Sequence, residues 1–394
     1  MFDFDTLVPR RGTSCVKWDA QPPVPVEGDI IPLWVADMDF PVAPCIQAAL
    51  RSRMEHGIYG YTVVPQRYYT TVRDWFRDRH GWDFDPAWIQ YTTGVVPALS
   101  AVIQALTRPG DKVILQTPVY NCFFSSVRNA GCEVLDSPLL RQDLSDGRFT
   151  YRFDEQDLAR KCADPSARLL LLCNPHNPAG RVWREDELRR VAEICRAHDV
   201  IPVCDEIHCE IVAPGLHYTP FATVCAQDWI VLSSASKSFN TAGLQMANII
   251  CPREEWRRRI DKAININEIC DVNPFGPVAM TAAYSDEGAA WLAEMNAYVA
   301  ENYRLLHNCF AERLPGFPVA VLEGTYLPWI DVRALGMPSA EVENSLLRHE
   351  QVWVNAGAMY GTEGYIRINI ATPRALLAEG LDRVVAGLKR LQAL

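Results

Sequence analysis

Short apolar runs alternate with amphipathic stretches through the middle of the chain. Runs at 112–116, 133–137, 168–173, 201–204, 229–232 and 247–251 read as short buried strands. Between several of them the apolar positions recur at helical spacing. The pattern is clearest at 184–198, where Leu188, Val191, Ala192 and Cys195 share one face. Strands and helices in this order predict an α/β fold, a mostly parallel sheet covered on both sides. Such sheets bind ligands at the carboxyl ends of their strands.

The flanks read differently. Residues 1–40 are irregular and proline-rich, which predicts an arm lying across another surface. Ile46, Ala49, Leu50 and Met54 then mark a helix that stops at Gly57. Tyr68, Val72, Trp75 and Phe76 mark a second, to about His80, after an aromatic turn at Tyr59-Gly60-Tyr61. A glycine turn at Gly94 opens a helix running to Leu106, with Pro97 tolerated in its first turn. Beyond about 285 a long helix is expected over 289–313. Paired strands are expected at 319–322 and 326–331, another strand at 365–370, and a closing helix over 376–391. The division this predicts is 46–285 as the large domain, and 1–45 with 286–394 as the arm and a smaller α+β domain.

Composition narrows the class. The chain has 394 residues, enough for one large or two unequal domains, and a net charge of −10 from 38 basic and 48 acidic residues. That balance argues against a nucleic-acid partner or an anionic membrane. No apolar run approaches the length of a membrane span, and the acids of Met1-Phe2-Asp3-Phe4-Asp5 do not suit a secretory signal. Thirteen cysteines, an odd number without a Cys-x-x-Cys pair, suit reduced thiols in a cytoplasm and neither a disulfide framework nor a zinc site.

Three polar signals sit at the ends of expected strands. Asn174-Pro175-His176-Asn177-Pro178 follows the run 168–173, and would hold Asn174 at the sheet edge or simply form a stiff turn. Asp205-Glu206-Ile207-His208 closes the run 201–204. Consecutive acids there are costly unless paired, although Glu206 also suits a helix cap. Lys237 leaves the run 229–232 through Ser233, Ser234, Ala235 and Ser236, and by itself could be an ordinary surface lysine. The spacings are 237 − 205 = 32 and 205 − 174 = 31, each one strand–helix–strand unit, so the three converge on one edge. A Schiff-base lysine must be deprotonated, which burial can arrange. For an anion there are the helix start at Gly94-Val95-Val96, and the hydroxyls of Ser234 and Ser236. Arg367, in an alternating strand, offers a carboxylate fork or a surface ion pair; Tyr120 offers a stacking ring or a core aromatic.

Taken together these residues describe a pyridoxal-phosphate site. The chain resembles the fold-type I pyridoxal-phosphate enzymes of the class I/II aminotransferase superfamily. Within them it is most similar to the cystathionine β-lyases (C–S lyases) of the MalY and PatB type. The resemblance runs nearly end to end. It rests on Val35-Ala-Asp-Met-Asp-Phe40, Tyr59-Gly-Tyr-Thr62, Thr117-Pro-Val-Tyr120, Asn174-Pro-His-Asn-Pro178, Asp205-Glu-Ile-His208, Ser236-Lys-Ser-Phe-Asn240, Glu323-Gly-Thr-Tyr-Leu327 and Arg367-Ile-Asn369, among others. It implies an aminotransferase-like large domain with a mostly parallel seven-stranded sheet that binds the cofactor, and the smaller α+β domain.

The resemblance also implies roles. Lys237 holds the cofactor and moves the Cα proton, Asp205 pairs with the ring nitrogen, Asn174 bonds the ring oxygen and Tyr120 stacks. His208 belongs to the same cofactor shell. Val95, Val96, Ser236 and, more weakly, Ser234 receive the phosphate, and Arg367 grips the substrate carboxylate. Tyr61 reaches the phosphate from a second subunit and borders the substrate, so a homodimer with active sites at the subunit interface is implied. The implied reaction is β-elimination of a small sulfur-containing amino acid to thiol, pyruvate and ammonia. Where wider aminotransferases carry a phosphate-binding arginine eight positions after the lysine, this chain has Gln245, which favours the lyase over an aminotransferase. A regulatory binding protein retaining the cofactor is the alternative of another class.

Overall fold

The computed structural model describes residues 2–226, 228–266 and 271–393. Its centre is a seven-stranded sheet. In chain order the strands are β1 (Ile89–Thr92), β2 (Lys112–Leu115), β3 (Glu133–Asp136), β4 (Ala167–Cys173), β5 (Ile201–Asp205), β6 (Ile230–Ser233) and β7 (Ala247–Ile250). Across the sheet they run β1-β7-β6-β5-β4-β2-β3, all parallel except β7, which is antiparallel to both neighbours. β6 and β7 are buried at every position and β4 and β5 at all but one, because helices cover both faces. β3, at an edge, is half-exposed.

Flanking helices form where the apolar spacing placed them, with one more, at 121–129, that was not among those expected. They are α1 (Pro44–Glu55), α2 (Gln66–His80), α3 (Val95–Leu106), α4 (Asn121–Asn129), α5 (Glu185–Ala197), α6 (Asp286–Arg313) and α7 (Arg374–Gln392). α5 illustrates why. Three acids occupy its first turn, Glu187 accepts the Arg184 N–H at 2.9 Å, and Leu188, Val191, Ala192 and Cys195 turn inward. A second, antiparallel sheet holds β8 (Trp329–Asp331), β9 (Asn355–Ala356) and, between them, β10 (Tyr365–Arg367). The arm reaches this part of the molecule, since Ile31–Pro32 pairs in parallel with Val352–Trp353.

Five features differ from the expectations. β1 was not expected as a strand, because Ile89-Gln-Tyr-Thr mixes polar and apolar positions. Residues 319–322 form isolated bridges, from Val319 to Ile330 and from Ala320 to Phe149, rather than a strand. The expected strand at 326–331 shortens to β8, which pairs with β10. The strand expected at 365–370 ends at Arg367. Leu140–Asp143 and Phe149–Arg152 form a separate hairpin whose polar, partly exposed residues gave no apolar run.

After its short strand the arm becomes a strap over the sheet's carboxyl edge. Its carbonyls are taken one after another by side chains. Trp34 O accepts from Arg367 and Asn355 at 2.8 Å each, and Met38 O and Phe40 O accept from Asn240 at 2.9 Å each. Asn369 donates to Val35 O at 2.5 Å and Asp37 O at 2.6 Å. Behind the strap, buried Asp39 meets Lys17 at 2.7 Å, Arg10 at 2.7 Å and the Trp18 indole at 2.8 Å.

Candidate active site

Register brings the polar strand ends to one level. Cys173 and Leu232 lie opposite Asp205 on either side, so β4, β5 and β6 finish together. Beyond them opens a cavity of about 190 Å³. Its wall includes Val95 and Val96 at the start of α3, Tyr120, Asn177, Asp205, His208, Ser236, Lys237 and Gln245.

Lys237 emerges into this cavity, half-buried, and donates from Nζ to the strap carbonyl of Ala36 at 2.6 Å. Its pKa falls from 10.5 to about 8, first because burial penalises the ammonium and then because Arg367 is near; Asp37 and Asp205 oppose the shift. The amine is therefore far easier to deprotonate than an ordinary lysine, with about one-tenth free base at pH 7. Asp205, the last residue of β5, accepts the Ile207 N–H at 3.1 Å. Burial pushes its carboxyl up to about 6, against that bond and Lys237. An acid so poised is stabilised as carboxylate by any cation brought against it. His208 is buried and neutral, driven down by burial and by Lys237 and Arg367, and its Nδ1 has no partner among the described residues.

Arg367, the last residue of the small sheet's central strand, meets the cavity wall through Asn177. Nη1 donates to Asn177 Oδ1 at 3.2 Å and Nη2 to Trp34 O at 2.8 Å, while Nε is buried without a partner among the described residues. The guanidinium lies 4.9 Å from the centre of the Tyr360 ring. Deeper still, Glu206 accepts the Phe221 N–H at 2.9 Å and bonds the Tyr218 hydroxyl. Burial raises it to about 8.

The first correction concerns the asparagine. Asn174 does not line the cavity. Its N–H continues the sheet to Asp205 O at 2.9 Å, and its buried side chain points away from the cavity. Nδ2 then donates to Thr219 O at 3.1 Å and Oδ1 accepts from Trp183 N–H at 3.3 Å. Asn177, three residues on in the same motif, takes the cavity position and the contact with Arg367. The second asparagine before a proline was the available signal. The second correction is Ser234, whose hydroxyl is sealed inside, donating to Met246 O at 2.7 Å and accepting the Ser236 N–H at 3.0 Å. It supports Ser236 and lies off the cavity wall. Tyr61 is 99% exposed and does not line the cavity of its own chain.

The residues present fit a flat, phosphorylated pyridine. The start of α3 supplies backbone donors and a positive helix end for a phosphate, beside Ser236 and the uncharged Gln245. Tyr120 supplies a flat wall, Asp205 a partner for a ring N–H, and the unpartnered His208 Nδ1 a further polar atom. Among the described residues no cluster of metal-ligating side chains occurs, and no helix is long and apolar enough to cross a membrane.

Comparison with known proteins gives a consistent picture. The model of the family "aminotransferase class I and II" matches residues 28–384. The chain is 38% identical to cystathionine beta-lyase PatB of Bacillus subtilis over 391 residues, 98% of this chain and 100% of that one. It is 31% identical to protein MalY of Escherichia coli over 396 residues, the whole of both chains. Among solved structures, cystalysin of Treponema denticola, which contains a pyridoxal 5′-phosphate cofactor, superposes with a TM-score of 0.93 at 34% identity. The match covers 99% of this chain and 100% of that one.

Proposed function

This chain belongs to the class I and II aminotransferase family, and from that premise we propose that it is a pyridoxal-phosphate-dependent C–S β-lyase. With one water, it cleaves a small sulfur-containing amino acid, of which cystathionine is the type, into a thiol, pyruvate and ammonia. The observation that carries the reading is Lys237, an amine lowered to about 8 in a cavity it shares with Asp205, with Arg367 bonded to Asn177 of the same wall. The likeness to PatB, along the whole chain, supports the lyase over other chemistries of the fold. Gln245 supports it further, since it leaves the phosphate end with backbone donors and hydroxyls but no arginine.

When bound, the cofactor supplies an electron sink that stabilises negative charge at the substrate Cα. Val95, Val96 and Ser236 would hold its phosphate, Tyr120 would offer its ring a flat wall, Asn177 and His208 would offer it polar atoms, and Asp205 would pair with its ring nitrogen. Arg367 holds the substrate carboxylate through the fork edge left by its unpartnered Nε. That orients Cα toward Lys237, whose free amine accepts the Cα proton at Nζ. The Cβ–sulfur bond then breaks with its electron pair leaving on sulfur. Lys237, now cationic, sits against the Ala36 carbonyl, which stabilises the proton it carries.

The active unit is a homodimer in the cytoplasm. Tyr61, Val63, Ile58 and Met54 are exposed apolar residues on neighbouring stretches, a face suited to a second copy. Tyr61 from that copy completes the phosphate site. The large part 46–285 carries the cofactor, with the arm and 286–394 closing over it. Pyruvate release from cystathionine by the holoprotein tests the function. Steady release, with one thiol per pyruvate, supports the lyase. Amino transfer to 2-oxo acids without pyruvate would replace it with an aminotransferase, and neither activity would leave a binding protein.

A further inference from the structure

The stretch Glu323-Gly324-Thr325-Tyr326-Leu327 lines none of the cavity, yet it reaches the reactive lysine through one atom. The Tyr326 hydroxyl donates to Ala36 O at 3.1 Å, the same strap carbonyl that receives Lys237 Nζ at 2.6 Å. The direction of both bonds is forced, since a carbonyl has no hydrogen to give. Tyr326 is fully buried. Its own carbonyl accepts the Ile370 N–H at 3.0 Å, and its ring meets His208 edge-on at 6.1 Å. The ring is thus placed between the stretch after β10 and the cavity wall. Burial, and Asp37 after it, hold the phenol protonated, with Arg367 opposing them.

The shared carbonyl is held in place by its neighbours. Val35 O and Asp37 O, on either side of it, accept from Asn369 at 2.5 and 2.6 Å, and Asp37 O also accepts from Lys17 at 3.3 Å. Asn240, three residues beyond Lys237, accepts the Met38 N–H at 3.1 Å and donates to Met38 O at 2.9 Å. Ala36 O is therefore a fixed acceptor, with one lone pair for the lysine and another for the tyrosine. Two hydrogens of positive partial charge face one oxygen. The hydroxyl hydrogen repels an ammonium on that oxygen more than it repels an amine.

We propose that Tyr326 is a positioning residue for the proposed reaction: by sharing the Ala36 carbonyl it limits how tightly Lys237 holds a proton. A share of the amine is thereby kept free to accept the Cα proton. Tyr326 acts through Ala36, with no contact to the reacting atoms. The use of the free amine rests on the lyase reading; the effect on the amine itself does not. Other groups act on Lys237 as well. Arg367 favours the free amine, Asp37, Asp205 and Cys122 oppose it, and His208 beside them stays neutral. Among the described residues none of these bonds the Ala36 carbonyl, so a change confined to the Tyr326 hydroxyl can be read separately.

The test follows Lys237 in the full chain freed of cofactor, by competitive acetylation with acetic anhydride from about pH 6 to 11 and peptide mapping. In the wild type the midpoint at Lys237 is expected near 8. Tyr326→Phe keeps the ring and removes the hydroxyl, and should raise the midpoint by about half a pH unit, the scale of one neutral hydrogen bond. A chain with 3-fluorotyrosine at position 326, a stronger donor of nearly the same shape, should lower it. Tyr303→Phe removes a hydroxyl that also donates to a carbonyl, Ala320 O at 2.7 Å, and should leave the midpoint in place. Opposite shifts at 326 with none at 303 support the proposal, and a merely structural role would not produce them. No shift at 326, shifts of the same sign, or an equal shift from Tyr303→Phe would overturn it. Should Tyr326→Phe fail to fold, the fluorinated chain decides, by a lowered midpoint or its absence. Because acetylation needs no turnover, a protein that makes no pyruvate still passes or fails this test.

Discussion

Two lysines enter the interior of this molecule and are treated in opposite ways. Lys17, behind the strap, is sealed against Asp39 at 2.7 Å, with Asp37 at 3.7 Å. Asp39 also takes Arg10 and the Trp18 indole. Every charge in that cluster has a partner, and the cluster fixes the shape of the strap. Lys237 has a carbonyl instead of a carboxylate, and the charges around it are spread over Asp205 and Arg367 without direct pairing. Its neighbours Arg367 and His208 keep polar atoms unmet. A paired buried charge holds structure, whereas an underpaired one is held ready for a ligand. The two sites meet at the strap, whose outer residues bind Lys17 and whose Ala36 carbonyl receives Lys237.

The contrast can be broken from either side. Lys237→Ala should reduce pyruvate release by about 10⁴-fold, the upper range for loss of a proton-transfer group, and should abolish the visible absorbance of the bound cofactor. In the cofactor-free protein, Lys237→Met should leave stability unchanged or raise it, because an underpaired charge is removed. Lys17→Met should do the reverse. Removing one partner of a buried pair costs about 3 kcal/mol in denaturant unfolding, while kcat per folded molecule stays within a few-fold. Equal stability losses at both lysines would erase the distinction.

Smaller effects sharpen it. Arg367→Lys should lower kcat/KM by about 10–100-fold through loss of the fork, most of it in KM. Capture of cofactor by the apoprotein should accelerate as pH rises through about 8, where Lys237 loses its proton, rather than near its ordinary 10.5. A separate, pH-dependent effect lies at Glu206, whose carboxyl is raised from 4.5 to about 8 when folded. The folded protein then holds the proton more tightly than the unfolded chain. The stability this contributes is full below pH 4.5 and lost as pH climbs through about 8. Glu206→Gln should therefore gain on the wild type, in unfolding free energy, progressively from about pH 5 to 8. A pH-independent difference would place the proton elsewhere.

Much of this was legible in the residues alone, for a physical reason. Strands buried on both faces must be apolar runs, so β2 and β4 to β7 announced themselves, and the acid ending β5 and the lysine just beyond β6 stood out against them. Equal spacing through strand–helix–strand units then predicted that they share an edge, and the structure places both in one cavity wall. β1 was invisible because its polar residues, on a strand at the sheet's end, break the run. Asn174 and Asn177 could not be ranked, since both precede proline and only the path of the turn decides which amide faces inward. Ser234 and Ser236 differ in the same way, by where two hydroxyls point. Tyr61 belongs to a face that one chain leaves open. The strap's carbonyls carry no sequence signal at all, because any residue supplies one.

Borohydride reduction of the holoprotein, followed by peptide mapping, tests most directly that the underpaired lysine is the reactive one. A single cofactor label is expected, on Lys237, even though Lys17 is also interior. A label on Lys17 or any other lysine, with Lys237 unmodified, would contradict it.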